Sequence, residues 1–274
     1  MAAFPRDRAL SLLAAANNHG DLAVKISSLK QAKDILLSME PSLAADLFSY
    51  LAGLQSSPET LVRKLLIEVI EEIGLRAAEH SPTLMSVLLA FLRDNDTTVV
   101  KQSLISGTYI FCSVLAEMTM QHQQYGKVER WLEEIWMWML KFKDAVFGIA
   151  LEPGSVGTKL LALKFLEAVV LLFSSDIGYP EKSLLEGGRK VFNVSWLEAS
   201  HPVLDPVMLM SEASRTVGIL LNFLQSAASL PGCLTITVVN WKVTCVCLAI
   251  LVYKAHHGFM IGTIHDALLS LLML

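Results

Sequence analysis

A β-branched apolar residue followed by a basic one recurs along this chain at a fixed step. The pairs are Val24-Lys25, Val62-Arg63 and Val100-Lys101, each 38 residues beyond the last. Each copy opens an amphipathic stretch: DLAVKISSLKQAKDILLS, SPETLVRKLLIEVIEEIG and DNDTTVVKQSLISGTYIF. A period between the low thirties and the mid forties, carried by helices, is the signature of stacked helical repeats. Such arrays generally hold other proteins, so the period moves the expected function away from chemistry.

Helix punctuation supports this through the first 175 residues. Pro41, Pro58 and Pro82 each follow a polar residue, which is first-turn placement. Helices are predicted near 5–18, 22–38, 41–55, 58–79, 82–93, 97–120, 126–151 and 155–175. In the 58–79 helix Val62, Leu66, Val69 and Ile73 share one face, widened by Leu65 and Ile70. Arg63, Lys64, Glu68, Glu71 and Glu72 take the other. Val100, Leu104, Phe111 and Leu115 repeat the arrangement. Alternating shorter and longer helices with brief turns give an all-α fold, a HEAT/armadillo-type solenoid of antiparallel helix pairs. The fourth hairpin departs from the period: its basic position is Lys159, 58 residues after Lys101, and the added length lies in KVERWLEEIWMWMLKFKDAVFGIAL and the turn before it.

Residues 176–202, with Gly178, Pro180, Gly187, Gly188 and Pro202, interrupt the array as a loop. Helix resumes over 203–228. From residue 233 the chain becomes β-branched, and the last twenty residues contain no lysine or arginine. The expected organisation is a scaffold domain over 1–240 followed by a divergent apolar tail over 241–274, read as an alternative or misannotated reading of the message.

Composition narrows the function classes. At 53% hydrophobic and 18% charged the chain is too apolar for disorder, and a net charge of −4 argues against a surface that grips nucleic acid throughout. Four scattered cysteines do not make a disulfide framework and favour a reducing compartment. Residues 1–8 lack a signal-peptide core. The longest uncharged window, Thr216 to Trp241, is broken by Asn222, Gln225 and Pro231-Gly232, so no membrane association is expected.

Candidate chemistry fails its templates. GSVGTK (154–159) lacks the four residues between glycines and the preceding strand that a phosphate loop requires. Cys245 and Cys247, with His256, His257 and His265 downstream, lack the paired spacing of a zinc site. No nucleophile elbow or zinc-protease motif surrounds His19, His80, His122 or His201. Catalytic residues, cofactors and metals are therefore assigned as none. In the aromatic run, Trp131, Ile135, Trp138 and Phe142 share a face and are expected in the core, leaving Trp136 as the candidate exposed anchor. The basic column Lys25, Arg63, Lys101 and Lys159 has two readings. Each cation pairs with an acid at a neighbouring turn, such as Asp21, Glu59, Asp94 or Asp96. Alternatively, the column, extended by Lys164, is a docking strip for an acidic partner.

SPETLVRKLLIEVIEEIG, LRDNDTTVVKQSLI and LALKFLEAVV together resemble the N-terminal HEAT-repeat domain of the symplekin family. HPVLDP and ASRTVGILLNFLQ are similar to its plant members, and the likeness spans roughly residues 8–240. The resemblance implies a nuclear, non-enzymatic scaffold of pre-mRNA cleavage and polyadenylation. It also implies docking of a phosphatase of the RNA polymerase II C-terminal domain, alongside cleavage and polyadenylation factors. In that family second helices line the partner surface; the matching positions are Lys101, Lys159, Lys164 and Glu167. Two alternatives remain open: a helical-repeat adaptor in transport or trafficking, and membrane association through the apolar C-terminal third.

Overall fold

The computed structural model describes residues 5–76, 81–174 and 192–225, and no strand occurs among them. The chain divides into two compact units, Met1–Leu166 and Glu167–Leu274.

In the first unit the helices are α1 (Pro5–Asn18), α2 (Leu22–Ser38), α3 (Pro41–Ala45), α4 (Phe48–Gly53), α5 (Thr60–Arg76), α6 (Pro82–Phe91), α7 (Thr97–Tyr125) and α8 (Arg130–Leu151), with α9 (Val156–Phe173) starting in it. The predicted 41–55 helix is instead two short helices and a 3-10 turn, Leu54–Ser56. The break falls where Leu47 and Phe48 are both buried, so the chain turns to place two adjacent large side chains inward. The helix predicted to end near 120 runs on to Tyr125. It stops at Gly126, whose φ of 68° is the left-handed cap that glycine adopts without penalty.

Two rows result. First helices stack as α1 on α4, α4 on α6 and α6 on α8, while second helices stack as α2 on α5 and α5 on α7. Within hairpins α1 packs on α2 and α6 on α7, and α7 also packs on α8, the first helix of the next hairpin. This is the all-α helical-repeat architecture that the 38-residue step predicts. The predicted core positions of α5 and α7 are buried, Leu65 and Ile70 included. Ile67 and Gly74 are buried as well, because α5 meets α2, α6 and α7 on different sides.

Tight joints depend on small residues. Ser103 donates from Oγ to the Leu88 carbonyl at 2.8 Å, tying α7 to α6. Gly107 of α7 lies under the ring of Phe142 from α8, which in turn meets Phe165 edge-on at 5.8 Å. Phe111 contacts both Trp136 (5.4 Å) and Phe165 (5.2 Å), so three helices share one aromatic cluster.

That cluster corrects the aromatic assignment. Trp136 is buried, and Trp131 and Trp138 are only half-buried, although Ile135 and Phe142 are in the core as expected. The buried stripe of α8 is Leu132, Ile135, Trp136, Met139, Phe142, Lys143, Val146 and Ala150. Since α8 packs against both α6 and α7, it buries two adjoining faces, and Trp136 serves the second. Lys143 within the stripe disguises it in the sequence. Trp138 carries Lys141 over its ring at 4.3 Å.

The second unit comprises the remainder of α9, a 3-10 turn at Val194–Trp196 and α10 (Pro206–Gln225). Asn193 Nδ2 donates to the Ser174 carbonyl at 3.0 Å, pinning the returning chain to the end of α9. His201 Nδ1 accepts from Leu204 N at 2.9 Å and Asp205 Oδ1 from Val207 N at 2.8 Å, which shapes the turn into α10. The helix predicted over 203–228 starts at Pro206, and its predicted end at 226–228 lies outside the described residues. The interruption expected over 176–202 lies outside the described residues up to 191, and from 192 to 202 its only helical turn is Val194–Trp196. The tail over 241–274 lies outside the described residues.

Two stability predictions follow from the packing. A Cβ on Gly107 would sit 2.1 Å from Phe142 Cζ, a clash that cannot be absorbed locally. Gly107→Ala should destabilise the chain by about 1–3 kcal/mol despite the helix-propensity gain of about 1 kcal/mol, and Phe142→Leu should recover part of the loss. Urea denaturation of both variants measures this. On α10, Thr216 is fully buried and its Oγ1 finds no hydrogen-bond partner. Thr216→Val should raise stability by about 1 kcal/mol in the same assay.

Candidate docking surface and its charge ladder

The recurring basic residue stands in the first turns of each second helix, and in two repeats it reaches forward to the next hairpin. Lys25 of α2 donates to Glu59 Oε1 at 2.9 Å. Glu59 directly precedes α5, and its other oxygen accepts from Ser57 Oγ at 2.7 Å. Arg63 of α5 makes a two-pronged pair with Asp94 in the turn before α7: Nε to Oδ2 at 2.9 Å and Nη2 to Oδ1 at 3.1 Å. Its Nη1 donates back to the carbonyls of Ser57 (2.7 Å) and Pro58 (3.1 Å), so one guanidinium locks the turns of two successive hairpins. Thr60 adds a bond to Asp96 at 2.8 Å.

These pairs are partly withdrawn from water: the side chains of Arg63 and Asp94 are 14% and 11% exposed, and that of Lys25 is 8%. Removing one partner would leave its mate enclosed and uncompensated, the costly case for buried charge. For Lys25 and Arg63 the structural reading of the column therefore holds. Asp21, the other suggested acid, caps its own helix by accepting from Ala23 N.

Further along the same row the helices are joined by Lys33 to Glu72 at 2.7 Å, between α2 and α5. Ser106 of α7 donates to Glu71 of α5.

The remaining column is different. Lys101 of α7 is half-buried, and among the described residues no hydrogen bond or ion pair joins it to another. Its tip crosses to the first turn of α9: a Cβ on Gly157 would lie 2.7 Å from Lys101 Cε and 2.8 Å from its Nζ. Lys159, two residues further along α9, is half-buried and has a partner of its own. Lys164 is exposed. The structure thus brings Lys101 to the helix that carries Lys159 and Lys164. Glu167, on the same helix, is half-buried and is the first residue of the second unit. The solvent side of α7 exposes Ile105 and Tyr109, about one and two turns beyond Lys101, and Met120 further along, none of which the sequence analysis singled out. Their spacing at 105, 109 and 120, with Cys112 half-buried between, is the signal that would have found them.

Other candidates are disposed of by position. The GSVGTK segment links two helices, α8 and α9, rather than a strand and a helix. Among the described residues no group of three or more His, Cys, Asp or Glu side chains could hold a metal ion. Cys245, Cys247, His80, His256, His257 and His265 lie outside the described residues. Among the described residues α7 is long and apolar enough to cross a membrane, but more than half of its most apolar window is buried against its neighbours.

The carboxylates of the ladder respond to this setting. Hydrogen bonds from Lys25 and then Ser57 hold the Glu59 carboxyl below its ordinary range. The Thr98 hydroxyl and backbone N–H, followed by the Thr60 hydroxyl, lower Asp96 from 3.8 to about 2. A depressed folded-state value means stability that is present above the unfolded value and is lost as pH falls through the folded one.

A family profile described as Symplekin/PTA1 N-terminal matches residues 96–273, well over half of the chain. The match begins at Asp96, the cap of α7, and so takes in Lys101, Lys159, Lys164 and Glu167.

The pH dependence is testable. Stability of the chain should fall as pH drops from about 4 toward 2, and Asp96→Asn should flatten that part of the profile while lowering stability at neutral pH. Thermal denaturation across pH 2–7 in both proteins measures it.

Proposed function

Because the chain belongs to the Symplekin/PTA1 N-terminal family, we propose that it docks a phosphatase of the RNA polymerase II C-terminal domain on its row of second helices. Family membership carries the coarser role, a scaffold in mRNA 3′-end processing. The finer reading adds the partner, with cleavage and polyadenylation factors as its wider company and the nucleus as its compartment. The surface we assign to docking carries Lys101, Lys159, Lys164 and Glu167.

The family match over residues 96–273 is the observation that carries this reading. Physical support comes from the division of labour along the basic column. Lys25 and Arg63 are consumed by joints inside the array, whereas Lys101 and the exposed Lys164 have charge to offer an acidic partner. Charge of this kind steers association, and the neighbouring Ile105 and Tyr109 of α7 supply apolar area to bury once contact is made. The scaffold acts by position: repeats fixed in register hold the enzyme near its substrate tail and contribute no catalytic group.

The test uses the full chain carrying Lys101→Glu, Lys159→Glu and Lys164→Glu together. Recovery of the phosphatase in a pull-down should fall by about tenfold, with the helical circular dichroism unchanged. Equal recovery by wild type and variant would overturn the assigned surface; failure of the wild type to recover the phosphatase would overturn the partner.

A further inference from the structure

The N-terminal boundaries of the second helices form a series with one member missing. Asp21 precedes α2, Glu59 precedes α5 and Asp96 precedes α7, whereas Ser155 precedes α9. Each plays the same backbone role, since Lys25 N, Arg63 N, Val100 N and Lys159 N donate to the carbonyls of Asp21, Glu59, Asp96 and Ser155 respectively. The four are therefore equivalent as helix caps, although the 38-residue step from Asp21 and Glu59 falls on Thr97, one residue past Asp96. In the two earlier joints the cation from the preceding second helix meets a carboxylate at or just ahead of this position: the cap Glu59 for Lys25, and Asp94, two residues before the cap, for Arg63.

At the third joint the cation arrives, and among the described residues no carboxylate meets it: the cap is Ser155 and the position two before it is Pro153. Lys101 extends to the first turn of α9, as its contact position at Gly157 shows, and Ser155 Oγ lies 3.9 Å from that same point. Glu152, in the same turn, is directed back over the last turn of α8, where it lies 3.7 Å from the position of a Gly148 Cβ. The glycine at 157 is what leaves room for the Lys101 tip.

We infer that the joint between α7 and α9 is an open carboxylate site, in which Lys101 is held to receive an aspartate or glutamate side chain from a docked protein. This rests on the reading that the second-helix row docks a protein, and names the chemistry the partner must present. The two filled joints define the required geometry, an oxygen about 2.9 Å from the cation. A protein carboxylate is favoured over a nucleic-acid backbone because the two filled joints each seat a single carboxylate, Glu59 and Asp94, on the cation. The apolar Ile105 and Tyr109, a turn or two along α7, fit a folded protein surface better than a phosphodiester strand.

Filling the site from within is the decisive experiment. Ser155→Asp puts a carboxylate on the vacant rung, with Ser155→Asn as the capping control. In the full chain Ser155→Asp should raise the melting temperature. The gain should shrink in a Lys101→Met background, because the cycle removes capping and dipole contributions common to both. A hexaglutamate peptide, titrated by amide NMR, should perturb residues 155–159 in the wild type and in Ser155→Asn. Ser155→Asp should bind it about tenfold more weakly. Hexaglutamine should give no perturbation. Undiminished hexaglutamate binding by Ser155→Asp, a stability gain independent of Lys101, or a single-stranded RNA oligonucleotide shifting these amides in place of the peptide would each overturn the inference. Phosphatase binding is scored separately. A wild type that binds hexaglutamate at 155–159 but not the phosphatase sinks the proposed partner and leaves the open site standing. A phosphatase held equally by wild type and Ser155→Asp does the reverse.

Discussion

A second helix such as α5 is covered by α2 on one side, by α7 on another and by α6 behind it. Leu65, Leu66, Ile67, Val69 and Ile70 are all buried, a wide apolar face that leaves Arg63, Lys64, Glu68, Glu71 and Glu72 to a half-buried polar one. A helix of this kind is stable only within the stack, where burial of each large aliphatic side chain contributes about 1.5–3 kcal/mol. Nearest-neighbour packing is thus the condition of folding in this unit, as in other repeat arrays.

Hydrophobic burial drives the stacking without fixing the register. Apolar surfaces tolerate sliding, whereas a two-pronged guanidinium–carboxylate pair does not. Arg63 supplies this constraint by joining Asp94 of the next hairpin and the 57–58 turn of its own. Lys25 with Glu59 and Lys33 with Glu72 extend the same constraint to the joint of α2 and α5, and Ser106 with Glu71 reinforces that of α5 and α7. The short repeat phrase first visible in the sequence is therefore the locking device of the array. Where that device lacks its acid, at Lys101, the same geometry becomes a feature open to a partner.

This gives the proposed docking surface a physical origin. The lengthened fourth hairpin coincides with the missing acid. Its first helix, α8, brings Trp136 and Phe142 into a cluster with Phe111 and Phe165, so aromatic packing replaces the ion pair as the tie between α7, α8 and α9.

The sequence by itself determined the helices, their pairing and their period, because helical spacing of apolar residues and capping signals are local and survive without knowledge of neighbours. It also narrowed the acids available to Lys25 and Arg63 to the adjoining turns. Tertiary structure alone decided which cations are consumed and which remain, since that depends on where a flexible side chain ends relative to a turn 30 or more residues away. It likewise decided the fate of Trp136: a single-stripe reading assumes one neighbour, and α8 has two. The half-buried place of Lys101 over Gly157 was illegible for the same reason, as the absence of a Cβ has meaning only once another helix is laid against it.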